Sequence, residues 1–331
     1  MQWTPMLEIT HCPGTLKAGC DTYSSTALRR VFEGRSVNHI LPYDSPASNA
    51  KTDVIFTRNR SRLSISGVQE KFSVVLDKNK LRLTEEGERG TYILKPIPSA
   101  GIRADQMPAN EHLSMQLARQ VFGIETAENA LIFFHNGAPA YLTKRFDVRD
   151  DGSKWAQEDF ATLAGRTPQT HGKDFKYLGS YLDLFRLMQT HVPAYAVEAL
   201  KLFRLILFNY LISNGDAHLK NFSLIETPLG DFKLSPAYDL LNSRIHIEDS
   251  PFALSEGLLP KSEEKGKVAQ RFRILGERAG IAKQQVDAIF EGLPSKEEGV
   301  VALIEASYLN AKTKRNYLQA YQRRLKKLLR T

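Results

Sequence analysis

Apolar residues come in short alternating runs between residues 70 and 145. Beyond about residue 175 they recur every three or four positions, so the pattern predicts a β-rich first part followed by a helical second part. Phe72-Ser73-Val74-Val75-Leu76 reads as a β-branched strand, residues 77–80 turn the chain, 81–83 return it, and 90–96 make a third strand. Residues 130–134 and 138–145 flank His135-Asn136-Gly137, whose Asn-Gly pair suits a type I′ hairpin turn. After a Pro-rich loop over 96–108, the span 110–122 carries Leu113, Leu117, Val121 and Phe122 at helical spacing, with Asn110 as N-cap and Gly123 as C-terminal stop. A short capped helix is expected over 22–32 and a loop over 36–53, which is rich in Pro, Ser, Asn and Asp.

In the second part, 157–160 reads as the start of a helix or turn, and 177–190 and 193–212 as long helices, with Pro193 in the first turn of the second. That helix breaks at Asn214-Gly215, strands follow over 222–225 and 232–234, and helices run from 276 to the end. The last helix, over 316–329, sets Tyr317, Leu318, Tyr321, Leu325, Leu328 and Leu329 on one face and Arg323, Arg324, Lys326 and Lys327 around it. A docked helix with a solvated basic face is expected there, in preference to a nucleic-acid or membrane anchor. Apolar and charged character switch abruptly at Lys144-Arg145-Phe146-Asp147, which places the boundary between a first lobe, 1–145, and a second, 146–331.

Composition narrows the class. A chain of 331 residues with 42% hydrophobic and 25% charged residues is long enough for two globular lobes. Its longest apolar run, 202–212, is interrupted by Arg204, so no membrane span is expected. Met1-Gln2-Trp3-Thr4-Pro5 shows no basic segment leading into an apolar run, hence no signal peptide and a cytoplasmic location are expected. Cys12 and Cys20 cannot make a disulfide framework, and with His11 they lack both paired spacing and a fourth ligand for zinc. The net charge of +8, from 45 basic and 37 acidic residues, suits an anionic ligand or partner but does not by itself indicate DNA binding.

The candidate chemistry sits where the long helix ends. Asp216, His218, Lys220 and Asn221 follow its break in close succession, and Asp239 comes after the next hairpin. Asp, then Asn, then a further Asp is the order of a phosphoryl-transfer site: one carboxylate takes or positions a hydroxyl proton, and an amide oxygen and a second carboxylate hold magnesium. A polar helix–strand turn followed by an Asx-turn would read the same way. Upstream, residues 61–71 form a polar loop running into a strand, able to lay backbone N–H groups over a triphosphate, although Gly67 is its one glycine. Lys95, near the end of a following strand, stands where a kinase keeps its phosphate-pairing cation. Glu111 either favours the helix dipole or steadies Lys95. The switch at 144–147 would then be the hinge.

Together, Ser64-Ile65-Ser66-Gly67-Val68-Gln69-Glu70-Lys71, Ile93-Leu94-Lys95-Pro96, Asn110-Glu111-His112, Lys144-Arg145-Phe146-Asp147, Gln157-Glu158-Asp159-Phe160, Asn214-Gly215-Asp216-Ala217-His218-Leu219-Lys220-Asn221-Phe222 and Pro236-Ala237-Tyr238-Asp239-Leu240 resemble the HipA-like serine/threonine kinases of bacterial toxin–antitoxin systems. They run in that family's order from about residue 60 to 245, and the block from Asp216 to Asn221 is specific. The resemblance implies a two-lobed, protein-kinase-like α+β fold with ATP and Mg2+ as cofactors. By it, Asp216 is the catalytic base, and Asn221 and Asp239 are the magnesium ligands. Lys95 holds the phosphates, the backbone of Ser66, Gly67, Val68, Gln69, Glu70 and Lys71 covers them, and Lys144, Arg145 and Phe146 meet adenine. His218 matches the family's loop histidine and braces the loop. Ser64 matches a regulatory autophosphorylation position and Ser66 offers a second; a phosphate of about −1.5 to −2 charge there would repel ATP.

The family phosphorylates aminoacyl-tRNA synthetases, stops growth, and is neutralised by a DNA-binding HipB-like antitoxin, through which alone the chain would meet DNA. Ser64 comes too early for the additional N-terminal subdomain of longer members. This resembles the shortened HipT-type toxins of three-gene systems, with a small HipS-like protein supplying that subdomain. Two other readings stay open: an inactive ATP-binding fold serving as an interaction or repressor subunit, and a small-molecule phosphotransferase, which the paired Ser64 and Ser66 disfavour.

Overall fold

The computed structural model describes residues 9–46, 56, 70–248 and 250–330. The chain divides into two compact units, one of Met1–Gln116, Ala127–Gly152 and Ala302–Lys314, the other of Leu117–Thr126, Ser153–Val301 and Arg315–Thr331.

The first unit is built on a five-stranded antiparallel sheet of β1 (Phe72–Asp77), β2 (Lys80–Leu83), β3 (Tyr92–Pro96), β4 (Asn129–Phe133) and β5 (Pro139–Lys144), in the order β2-β1-β3-β5-β4. Its register pairs Phe72 with Leu94, Leu94 with Leu142, and Leu142 with Ala130. Because side chains alternate along a strand, this row lies on one face. There it joins Tyr23, Val31, Phe32 and Phe56 in a single apolar cluster. The helix expected near the start is α1 (Ser25–Phe32), capped by Ser24, whose side chain accepts from Ala27 N–H, and closed by Glu33 at φ 58. Two tyrosines tie it down: Tyr23 donates to Leu131 C=O at 2.6 Å and Tyr92 to Val31 C=O at 2.7 Å, so both buried hydroxyls are satisfied.

Two local expectations change. In the β4–β5 connection only Gly137 has positive φ (81°), and Gly137 N–H donates to Phe134 C=O while Phe134 N–H donates to Ala138 C=O. This is a three-residue loop with a left-handed glycine at its end, not a type I′ turn, because Asn136 keeps negative φ. The helix between β3 and β4, α2 (Met107–Gln120), is preceded by a 3-10 turn at Ala104–Gln106. Asn110 is therefore inside the helix and fully buried rather than capping it. Gly123, at φ 64, does end it, with Ile124 N–H reaching Ala118 C=O.

His112 of α2 is buried, which pushes its pKa from 6.5 down to about 3 despite a bond to the Gly14 backbone. The unfolded chain thus binds the proton that the folded chain refuses. This contribution is complete above pH 6.5 and is lost toward pH 3, at about 1.4 kcal/mol per pH unit. Urea denaturation at pH 7 and pH 5 should give a smaller pH effect for His112→Gln than for the parent; equal effects would refute this.

In the second unit a small sheet runs β6 (Gln157–Asp159), β7 (Ser223–Glu226), β8 (Phe232–Leu234), all antiparallel. Residues 157–159 are thus a strand, not a helix start, because β7 supplies a partner 66 residues away. Asp159 closes the strand and caps α3 (Phe160–Leu163) by accepting from Thr162 N–H at 2.9 Å. Next come α4 (Pro168–His171), α5 (Tyr181–His191), opened by a Ser180/Asp183 capping box, and α6 (Tyr195–Leu211), which starts after Pro193. From Leu202 to Leu211 every residue of α6 but Arg204 is buried, so it is the central helix of the unit.

α7 (Val268–Arg278), α8 (Lys283–Glu291), α9 (Glu297–Ala306) and α10 (Ala311–Leu329) complete the chain. On α10, Tyr317, Tyr321, Leu325 and Leu328 are buried as the spacing predicts, whereas Leu329 is exposed. Arg324, expected on the solvated face, is only 4% exposed. Among the described residues no helix is long and apolar enough to cross a membrane.

Candidate active site

The phosphate-loop residues Ser64, Ser66, Gly67, Val68 and Gln69 lie outside the described residues, while Glu70 and Lys71 lead into β1. In the first unit, β3 places Lys95 opposite Tyr141 of β5, and its ammonium lies 5.4 Å from the centre of that ring. Because α2 begins at Met107, Glu111 sits past the first turn and its carboxylate reaches Lys95 Nζ at 2.6 Å. Both side chains are about 95% buried, with relative exposures of 5% and 3%. This removes the helix-dipole reading of Glu111: it is the counter-ion of the strand lysine. At the proposed hinge, Lys144 N–H donates to Glu128 C=O and Arg145 N–H to Thr91 C=O. Lys144 Nζ pairs with Glu33 at 2.9 Å, and Arg145 forks onto Asp147. Any adenine contact here would therefore use groups other than those two N–H.

In the second unit α6 ends at Leu211, and Ser213, two residues on, takes the left-handed conformation at φ 59 in place of the expected Asn214-Gly215 break. Asn214 is held by Asn209, through N–H to C=O at 2.9 Å and Nδ2 to Oδ1 at 2.8 Å, and its own Oδ1 accepts from Asp216 N–H at 3.3 Å. Gly215 N–H donates to Ser243 Oγ at 2.8 Å, and Tyr181 donates to Ala217 C=O at 2.7 Å. Asp216 is thus presented on a turn whose backbone is bonded on both sides. Its Oδ1 accepts from Tyr177 Oη–H at 2.8 Å. Burial, and then the Asp216 carboxylate, raise the Tyr177 pKa, so the hydroxyl stays protonated and donates.

His218 N–H bonds Asp216 C=O at 2.8 Å and Asn221 Oδ1 at 3.1 Å, and Asn221 N–H returns to His218 C=O. This reciprocal pair closes the 3-10 turn Leu219–Asn221 and points Asn221 Nδ2 at Asp239 Oδ2, 3.4 Å away. Asp239 is itself left-handed, at φ 55, a conformation costing a non-glycine residue about 1–3 kcal/mol and concentrated at functional sites. Tyr238 beside it donates to Lys220 C=O at 3.0 Å, tying the Asp239 segment to the loop that carries Asp216.

His218 lies against the Tyr177 ring, with centroids 5.3 Å apart, and its Nε2 is 2.9 Å from Lys176 Nζ. Burial foremost, with the Lys176 charge adding to it, lowers the His218 pKa to about 4 against the opposing pull of Asp216 and Asp239. The imidazole is therefore neutral at pH 7 and braces the loop as an acceptor for Lys176.

Nothing in the local pattern pointed to Lys176, Tyr177 or Ser243. Tyr177 lies 39 residues before Asp216 and Ser243 lies 28 after Gly215, so each meets the loop only through the fold.

The donor set suits magnesium. Asn221 and Asp239 each carry an oxygen donor, and Mg2+ is commonly held by one or two such side chains, with phosphate and water completing its octahedron. Here Asn221 turns Nδ2 to Asp239 and its Oδ1 accepts from His218 N–H, which leaves that oxygen a second lone pair for the metal. Among the described residues no group of three or more His, Cys, Asp or Glu could hold a metal, as a closed protein cage would require.

Residues 63–298 match the HipA-like C-terminal domain. Over 324 residues the chain is 24% identical to a protein of Haemophilus influenzae named as a candidate kinase, covering 92% of this chain and 91% of that one. It is 26% identical over 206 residues to the serine/threonine-protein kinase toxin HipA of Shewanella oneidensis, covering 55% of this chain and 44% of that protein. The solved Shewanella oneidensis HipA, in a complex of HipA, HipB and operator DNA, superposes with a TM-score of 0.60 at 20% identity, over 81% of this chain and 65% of that one. The chain thus spans less than two thirds of that solved HipA, and it has the two-lobed, kinase-like α+β fold. With the family match covering more than half its length, the chain belongs to the HipA-like family, which includes kinases and a kinase toxin.

Proposed function

We propose that this protein is an ATP-dependent serine/threonine-protein kinase acting as the toxin of a toxin–antitoxin system. The observation that carries the reading is the Asn221 amide set beside the Asp239 carboxylate on the loop that presents Asp216. In the proposal, Asp216 accepts the proton of a substrate serine or threonine hydroxyl through the carboxylate that Tyr177 orients. Lys95, steadied by Glu111, pairs with the phosphates of ATP, and the backbone of residues 66–71 covers them. Lys144, Arg145 and Phe146 line the adenine, and His218 holds Asn221 in place. Asn221 and Asp239 would hold Mg2+, which when bound neutralises charge on the phosphate oxygens.

Ser64 and Ser66 are the proposed autophosphorylation positions: a dianion in a loop meant for triphosphate repels ATP. The proposed target is an aminoacyl-tRNA synthetase. The proposed partners are a HipB-like DNA-binding protein, as in the solved Shewanella complex, and a small HipS-like subunit of a three-gene system. Purification of the natively expressed complex should yield both partners; recovery without a small third protein would remove the three-gene part.

Intact-mass and peptide mass spectrometry of protein made in cells should find phosphate on Ser64 or Ser66. No added phosphate, even after incubation with magnesium and ATP, would sink the kinase reading and favour an inactive scaffold.

A further inference from the structure

Arg324 of α10 is buried, yet no carboxylate among the described residues pairs with it. Its guanidinium lies over the Tyr210 ring at 4.6 Å, and Nε donates to Ser213 Oγ at 3.3 Å. Nη2 is buried without a hydrogen-bond partner. A desolvated cation held by one hydroxyl and one ring face is a costly arrangement, so its placement needs a reason beyond packing.

Ser213 supplies one. It is the left-handed residue at the end of α6, where a side chain carrying a Cβ is strained. Its carbonyl accepts from Ser243 Oγ–H at 3.2 Å, and the same Oγ accepts from Gly215 N–H. The conformation of Ser213 is therefore the start of a chain of bonds that ends at the backbone N–H of Gly215, the residue before Asp216. Arg324 grips the one side chain at that point, from 111 residues further along the sequence.

We propose that Arg324 is a positioning residue for Asp216. By holding Ser213 Oγ it keeps Ser213 left-handed, and so keeps the Asn214-Gly215-Asp216 turn in one conformation. The C-terminal helix is on this account part of the catalytic machinery. The kinetic consequence rests on the reading of Asp216 as the base; the bracing itself does not.

The test is amide hydrogen exchange by mass spectrometry across residues 213–218, with amides of α5 as internal reference, in full-length protein. Ser213→Ala removes the Oγ but keeps the strain, so exchange at the turn should rise about tenfold over the reference, and Arg324→Met should do the same. Ser213→Gly also loses the bond, but glycine adopts φ 59 freely, so it should stay within about twofold of the parent and should rescue Arg324→Met when combined with it. In phosphate transfer from ATP, kcat should fall with the exchange change while KM for ATP holds, and Ser213→Gly should restore it.

Exchange that is unchanged in Ser213→Ala, that rises equally at α5, or that is no lower in Ser213→Gly than in Ser213→Ala would overturn the proposal. The Ser213 pair decides the matter even if Arg324→Met does not fold. Should the exchange follow expectation while Asp216→Asn retains full activity, the bracing stands and the reading of Asp216 falls.

Discussion

Replacing Asp216 by asparagine is expected to lower phosphate transfer by about 10²- to 10⁴-fold, the usual weight of a general base. Asparagine keeps an oxygen that can accept from Tyr177 Oη, so the contact at 2.8 Å survives and thermal stability should change little. Alanine removes base and acceptor together, leaving the Tyr177 hydroxyl to find another partner, and should cost stability as well as activity. The two variants thus separate chemistry from scaffolding. As the proposed toxin, the parent should arrest growth on expression, and neither variant should. Phosphate incorporation measured by intact mass in the presence of ATP and magnesium is the direct check, and asparagine at 216 with parental rates would eliminate this residue as the base. Tyr177→Phe completes the set: it leaves the carboxylate in place without its orienting donor, and a milder loss in kcat is expected.

Replacing Lys95 by methionine should destabilise the first unit by about 3–5 kcal/mol, because it takes the ammonium from a carboxylate that is itself desolvated. Glu111→Leu should do comparable damage by taking the carboxylate at 2.6 Å away from the buried cation. Removing both together should cost much less than the sum, since two buried charges disappear at once and an apolar pair fills the space. Urea denaturation of the four proteins measures the coupling, and additive losses would show that the 2.6 Å pair contributes nothing as a pair. ATP affinity should separate the buried pair from the phosphate contact proposed for Lys95: the double variant, though restored in stability, should bind ATP no better than Lys95→Met. Lys95→Arg is not expected to rescue binding, because a planar fork does not fit the space of a compact ammonium.

Much of the framework was legible because it depends on short-range order. Alternation marks Phe72, Val74 and Leu94 as one face of a strand, and Lys95 at the end of that strand needs no tertiary information. The sequence Asp216, Asn221, Asp239 is likewise local, lying on one loop, one 3-10 turn and one segment past a hairpin. Errors fell where two local conformations are nearly equal in energy. Asn136 accepts either sign of φ, and β4 and β5 take a left-handed Gly137 alone. Residues 157–159 are polar enough for a helix start and become a strand only because Ser223, Leu224 and Ile225 offer an open edge.

The amino-acid sequence by itself thus determines on which kind of element the candidate residues ride, since period, caps and turn residues act over a few positions. Only the tertiary structure decides what surrounds them. Tyr177 comes to Asp216, Glu111 to Lys95, and Arg324 to Ser213 across 39, 16 and 111 residues. Whether a lysine is a solvated charge or one half of a buried pair, and whether a basic helix shows all its arginines to water or commits one to the turn that ends α6, is set by burial. Burial is a property of the packed chain, because the cost of a charge depends on everything that displaces water from it.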